Sequence, residues 1–103
     1  MKKKNKKFIN KNFLKKNFWE SDLSNSEFSN TKIYKSVFTD ADLSNSIFLN
    51  SEIVDTNLTH TNLRGTNFQT SKLKNVNLRD AVFDNKTLWP KNFDPTKYGA
   101  INS

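Results

Sequence analysis

The chain has 103 residues, 34% of them hydrophobic, and its 17 Lys and Arg outnumber its 10 Asp and Glu, giving a formal net charge of +7. That length fits one domain, and the apolar fraction falls short of the roughly 45–50% of ordinary globular domains, which excludes a conventional core unless the apolar residues are placed with great regularity. The absence of cysteine excludes a disulfide framework and thiolate chemistry and fits a cytoplasmic location; the basic start is followed by no apolar run long enough for an export signal or a membrane span.

The charge is uneven along the chain. Residues 1–20 hold eight lysines (Lys2, Lys3, Lys4, Lys6, Lys7, Lys11, Lys15 and Lys16) and one acid, Glu20, whereas residues 21–83 sum to −1 and residues 84–103 to +1. The positive charge is therefore a tail and not a face. Such a tail either attaches to nucleic acid or an anionic surface or is a solvated segment that keeps the chain soluble.

From Phe8 to Trp19 a phenylalanine recurs at every fifth position: Phe8, Phe13 and Phe18. Two residues before each stands a lysine, Lys6, Lys11 or Lys16, which cannot be buried unpaired. Residues 1–20 are thus read as a basic tail followed by an N-terminal cap or irregular first coil, either a distorted turn whose lysines escape past an open end or a short helical or irregular segment. In both cases it covers the end of whatever follows.

Over residues 21–85 the same period runs without a slip. Leu23, Phe28, Ile33, Phe38, Leu43, Phe48, Ile53, Leu58, Leu63, Phe68, Leu73, Leu78 and Phe83 hold one phase, and two residues before each sits a small residue, from Ser21 and Ser26 through Thr31 and Ala41 to Val76 and Ala81. A period of five fits neither a 3.6-residue helix nor a two-residue strand alternation. It marks a repeat architecture.

The unit resembles that of the pentapeptide-repeat family, A(D/N)LXX, most clearly in Ala41-Asp42-Leu43-Ser44-Asn45 and Thr61-Asn62-Leu63-Arg64-Gly65. The resemblance implies an all-β solenoid, a right-handed quadrilateral parallel β-helix in which each unit makes one side of a square. About three to four coils with short caps at both ends are expected. Alternation along an extended side turns the large apolar and the small residue inward. Residues twenty apart then stack, so the expected inner columns are Leu23-Leu43-Leu63-Phe83, Phe28-Phe48-Phe68-Leu88, Ile33-Ile53-Leu73 and Phe38-Leu58-Leu78.

Residues 86–103 are read as a C-terminal cap. Leu88-Trp89-Pro90-Lys91-Asn92-Phe93-Asp94-Pro95 resembles the WPxxFDP closing segment of small bacterial, cyanobacterial-type members of the family. Leu88 and Phe93 are expected to cover the last coil, while Pro90 and Pro95 stop further strand pairing.

No catalytic residues assemble. The many serines and threonines sit mostly in the inward slot, and glycine-rich phosphate loops, paired histidines and cysteine ligand sets are absent. Asp40, His60 and Asp80 share one outward slot a turn apart, which makes a weak candidate metal site of two carboxylates and an imidazole or, in the plainer reading, a surface charge column. No cofactor is expected. Lys32, Glu52 and Lys72 should form a ladder of alternating charge and Arg64 should face Asp84, whereas Asp22 beneath Asp42 is a like-charge pair. Tyr34, Ile47, Leu49 and Val54 point outward on two adjacent sides and form a candidate interaction surface, extended by Leu14 if the first coil is regular.

The sequence therefore suggests a noncatalytic scaffold or protein–protein interaction module, with self-association possible and the partner open. Nucleic-acid or anionic-surface binding through the lysines is the alternative. A third reading, implied by family members that mimic DNA to engage type II topoisomerases, is disfavoured because that mechanism needs an acidic rod.

Overall fold

The structure is a computed structural model and describes residues 4–103. Lys2 and Lys3 lie outside the described residues. Each five-residue unit forms one short side of a tube and turns a corner at its last residue. The corner residues Asn10, Asn25, Asn30, Asp40, Asn45, Asn50, Asp55, Asn75 and Asp80 all have positive φ, as does Gly65. Asn, Asp and Gly tolerate this left-handed region best and are favoured at the fifth position, but Lys15, Glu20, Lys35 and His60 take it too, so the stacking of the coils imposes the bend as well.

Two sides are strand ladders. On one, β1 (Lys7–Ile9), β3 (Glu27–Ser29) and β5 (Ile47–Leu49) pair in parallel with Phe8, Phe28 and Phe48 in register. On the next, β2 (Asn12–Leu14), β4 (Lys32–Tyr34), β6 (Glu52–Val54) and β7 (Lys72–Lys74) align Phe13, Ile33, Ile53 and Leu73. The other two sides are joined by single bridges, Asn17–Val37–Asn57–Asn77 and Asp22–Asp42–Asn62–Val82. The result is a four-sided, all-parallel β-solenoid of about five turns.

There are more turns than the expected three to four because both ends carry on the coil. At the start, Lys6, Lys11 and Lys16 behave as ordinary repeat residues in their backbones: their carbonyls accept from Glu27, Lys32 and Val37 at 2.8, 3.0 and 2.9 Å. Their side chains are exposed at the open end of the tube, so no charge is buried.

The core is the bore. Leu23, Leu43, Leu63, Leu78, Phe28, Phe48 and Phe68 are almost fully buried, each contributing roughly 1.5–3 kcal/mol. Phenyl rings stack along one column, with centroid separations of 4.8 Å for Phe8–Phe28, 4.4 Å for Phe28–Phe48 and 4.9 Å for Phe48–Phe68, the spacing imposed by parallel strands ~4.8 Å apart. Small slots beside them are filled by Ser and Thr whose hydroxyls tie one coil to the previous one: Ser46 Oγ donates to the Leu23 carbonyl at 2.9 Å, Thr66 Oγ1 to Leu43 at 2.8 Å and Ser71 Oγ to Phe48 at 2.6 Å. Buried hydroxyls thereby gain partners that an apolar bore would deny them.

At the other end the register shifts by one residue. Asn67 pairs with Leu88, and Leu88 is exposed instead of inward. Continuing the five-residue phase would have put the charged Lys86 in a small inward slot; one added residue lets Thr87 take it, and its Oγ1 donates to the Leu63 carbonyl at 2.8 Å. Trp89 then turns inward and stacks on Phe68 at 5.2 Å, followed by Phe93 on Trp89 at 5.4 Å and Tyr98 on Phe93 at 4.8 Å. The prolines do not end strand pairing either. After a 3-10 helix (Pro95–Tyr98) capped by Asp94 and Gly99, β9 (Ile101–Asn102) pairs in parallel with β8 (Val82–Phe83).

Candidate functional site

Of the proposed metal set, the structure brings together two members. His60 Nε2 lies 3.7 Å from Asp80 Oδ2, and Arg79 Nε lies 3.8 Å from the same oxygen. All three side chains are on the surface, where such pairs are worth about 0–1 kcal/mol. Asp40 occupies the corner one turn before His60 but does not join them: among the described residues no group of three or more His, Cys, Asp or Glu side chains is placed to hold a metal ion.

The charged columns fall where the repeat puts them, with one exception. Lys32, Glu52 and Lys72 are register partners. Arg64, however, makes no ion pair with Asp84 among the described residues; its Nε donates to Ser103 Oγ at 3.2 Å. The inserted residue explains this, because Asp84 is turned back into the cap, where its Oδ1 accepts from the N–H groups of Gly65 and Lys86 at 3.1 and 3.0 Å and from Thr87 Oγ1 at 3.2 Å. Burial pushes the Asp84 carboxyl up, but these donors together hold it below the usual carboxylate range. The like-charge pair Asp22 and Asp42 is relieved locally: each Oδ1 accepts from the N–H and hydroxyl of the serine two residues on, Ser24 at 3.1 and 2.6 Å and Ser44 at 2.9 and 2.6 Å.

The apolar candidates lie on adjacent ladders. Ile47 and Leu49 flank Phe48 on β5, and Tyr34 sits between Leu14 and Val54 in one column across β2, β4 and β6. Tyr34, Ile47, Leu49 and Val54 are each half-buried by their neighbours. Tyr34 Oη donates to Glu52 Oε1 at 2.7 Å, and this bond to a carboxylate raises the phenol above its ordinary value. The lysines of the described N-terminal residues, Lys4, Lys6, Lys7, Lys11, Lys15 and Lys16, are exposed on the first coil. No helix among the described residues is long and apolar enough to cross a membrane.

Two features escaped sequence reasoning. The register shift was signalled by Lys86 in the small slot, the same departure visible at Lys6, Lys11 and Lys16. The left-handed corners were signalled by the frequency of Asn and Asp at the fifth position, although Lys15, Glu20, Lys35 and His60 adopt the same conformation there.

A tube of five-residue sides stacked around an apolar bore defines a β-solenoid repeat protein. The sequence matches the family model described as pentapeptide repeats (8 copies) in two segments, residues 17–50 and 51–85. The chain belongs to the pentapeptide-repeat family. Its structure is similar to that of a pentapeptide repeat protein from the thylakoid lumen of Arabidopsis thaliana, with 22% identity and a TM-score of 0.57 over 78% of this chain and 59% of that one. Pentapeptide repeat proteins from Nostoc (25% identity, TM-score 0.44, covering 89% of this chain and 76% of that one) and from the cyanobacterium Cyanothece (23%, 0.39, covering 81% and 63%) also match. This chain therefore spans about three fifths of the length of the Arabidopsis protein. No curated protein matches.

Proposed function

We propose that the chain is a noncatalytic scaffold of the bacterial cytoplasm, which presents the two ladder sides carrying Tyr34, Ile47, Leu49 and Val54 to a protein partner or to a second copy. The observation that supports this most is the placement of these apolar groups in neighbouring columns on two adjacent ladders. A photo-crosslinking amino acid at position 49 should capture a protein in the source cells, and Leu49→Asp should abolish the function that deletion of the whole protein removes. A crosslinker at Thr59, on the opposite side, should capture nothing in common with it. Equal capture from both positions, together with an inert Leu49→Asp, would overturn the reading.

A second reading has its own support in the lysines of residues 2–16. Those among the described residues stand on one terminal coil, with Glu20 the only acid in residues 1–20, which suits attachment to an anionic polymer or surface. Binding that falls steeply with added salt and is lost with Lys→Gln substitutions on this coil is the expected result.

A further inference from the structure

Among the described residues the well-exposed large apolar side chains lie only at the two ends of the tube, with Ile9, Leu14 and Trp19 at 48, 61 and 56% exposure on the first coil. These three occupy the same place in successive units, immediately before left-handed corners at Asn10, Lys15 and Glu20, and so ring the terminal coil on three of its sides. One coil further in, the same positions hold Ser29, Tyr34 and Thr39, and the next coil has Leu49, Val54 and Thr59. Apolar residues recur in these columns, but Tyr34, Leu49 and Val54 are half-buried by their neighbours, so it is the high exposure that belongs to the end.

Lys6, Lys11 and Lys16 alternate with it in the slots that internal coils give to Ser26, Thr31 and Ser36. A terminal coil on which Trp and aliphatic side chains alternate with lysines has the composition of a surface that rests at a lipid headgroup layer. Trp favours that boundary, long lysines keep their charges among phosphates while their methylenes lie in the apolar region, and acidic lipids supply opposite charge. Single-stranded nucleic acid would need exposed aromatic faces for its bases and favours Arg as well as Lys. Residues 1–20 contain no arginine, and of the three exposed apolar residues Trp19 alone offers a face on which a base could stack.

We infer that the first coil is a lipid-docking end, which seats the tube upright on a bilayer leaflet containing acidic phospholipid, with Ile9, Leu14 and Trp19 entering the headgroup region. This inference rests on the second reading above and narrows it to one surface. The full chain carrying Trp89→Phe keeps Trp19 as its sole indole. With phosphatidylcholine vesicles containing phosphatidylserine its emission should shift to the blue and be quenched by brominated lipid, and neither change should occur with phosphatidylcholine alone. Leu14→Ser and Ile9→Ser, which keep the charge, should each weaken vesicle binding by about tenfold; Lys11→Gln should weaken it by about fivefold.

Binding to these vesicles without a change at Trp19 and without an effect of Leu14→Ser would overturn insertion while leaving the polyanion reading intact. Binding to single-stranded DNA but not to vesicles would do the same. Binding to neither would overturn both. Should a serine variant lose its circular dichroism signature, quenching of Trp19 in the chain without that substitution decides the question.

Discussion

Ser51 shows how much a small inward residue does. Its Oγ donates toward the carbonyls of Phe28 and Leu49 at 3.1 and 3.0 Å and accepts from the Thr31 N–H at 3.1 Å and the Thr31 hydroxyl at 2.9 Å, so one atom joins two coils inside the wall. Ser51→Ala preserves the size but leaves buried donors and acceptors unpaired. It should lower the unfolding free energy by about 1–3 kcal/mol in chemical denaturation, and a loss below a few tenths would show that the slot asks only for smallness. Asp84 makes a similar argument with charge. Its carboxylate is held below the ordinary range by N–H and hydroxyl donors, so the unfolded chain takes up its proton at a higher pH than the folded one. The stability it contributes is full above the ordinary aspartate range and is lost as pH falls through the lowered folded value. Asp94, depressed by the Thr96 hydroxyl and N–H, acts in the same direction. Melting temperature followed from neutral pH into acid should therefore drop, and Asp84→Asn should flatten part of that drop. An unchanged acid limb in Asp84→Asn would mean that the cap network contributes nothing.

At the scale of the element, the sequence made the repeat legible because each unit carries its own instruction: a large apolar residue for the bore and a small one beside it. Those instructions are local, so the columns through Phe28, Ile33, Phe38 and Leu43 follow from the period alone. The closing element was less legible, because there the period and the chemistry disagree. The period places Leu88 inward and Lys86 in a small slot. Burying an unpaired ammonium costs more than adding one residue to a turn, and the chain slips, which sends Thr87 and Trp89 inward and Leu88 out. Leu88→Ser should then change stability by less than about 1 kcal/mol, whereas Trp89→Ala, which empties the space between Phe68, Phe83 and Phe93, should cost about 3–5 kcal/mol. Trp89→Phe should be far milder, since the indole N–H is buried without a partner and removing it takes away an unsatisfied donor. Thermal melts of the three variants check the order, and a Leu88→Ser more damaging than Trp89→Ala would restore the unshifted register. The candidate site divides along the same line. Ladder partners such as Lys32, Glu52 and Lys72 follow from the period alone, but the Arg64–Asp84 contact fails because it straddles the slip.

For the whole molecule the governing problem is that a stacked tube has two ends, each exposing unpaired backbone and the mouth of an apolar bore. The C-terminal end is closed by the stack of Trp89, Phe93 and Tyr98 and by the return of β9. At the N-terminal end β1 and β2 are outermost in their sheets among the described residues, and Phe8 and Phe13 are only partly buried. Free strand edges of this kind invite pairing with another chain, and charged residues, lysine above all, are a common guard. Lys6, Lys11 and Lys16 fit that role: each stands where an internal coil has a serine or threonine, and each would have to be driven into the contact if a second first coil were laid on top. Replacing them with the residues found one turn later, as Lys6→Ser, Lys11→Thr and Lys16→Ser together, removes the guard without altering the backbone pattern, since the donors and acceptors of the coil are unaffected by side-chain choice. The triple variant should associate end to end at protein concentrations where the unsubstituted chain does not, visible as a heavier species in sedimentation velocity, and added salt should push the unsubstituted chain in the same direction by screening its like charges. Sedimentation identical for the two chains at every salt concentration would mean that the lysines do not guard the edge.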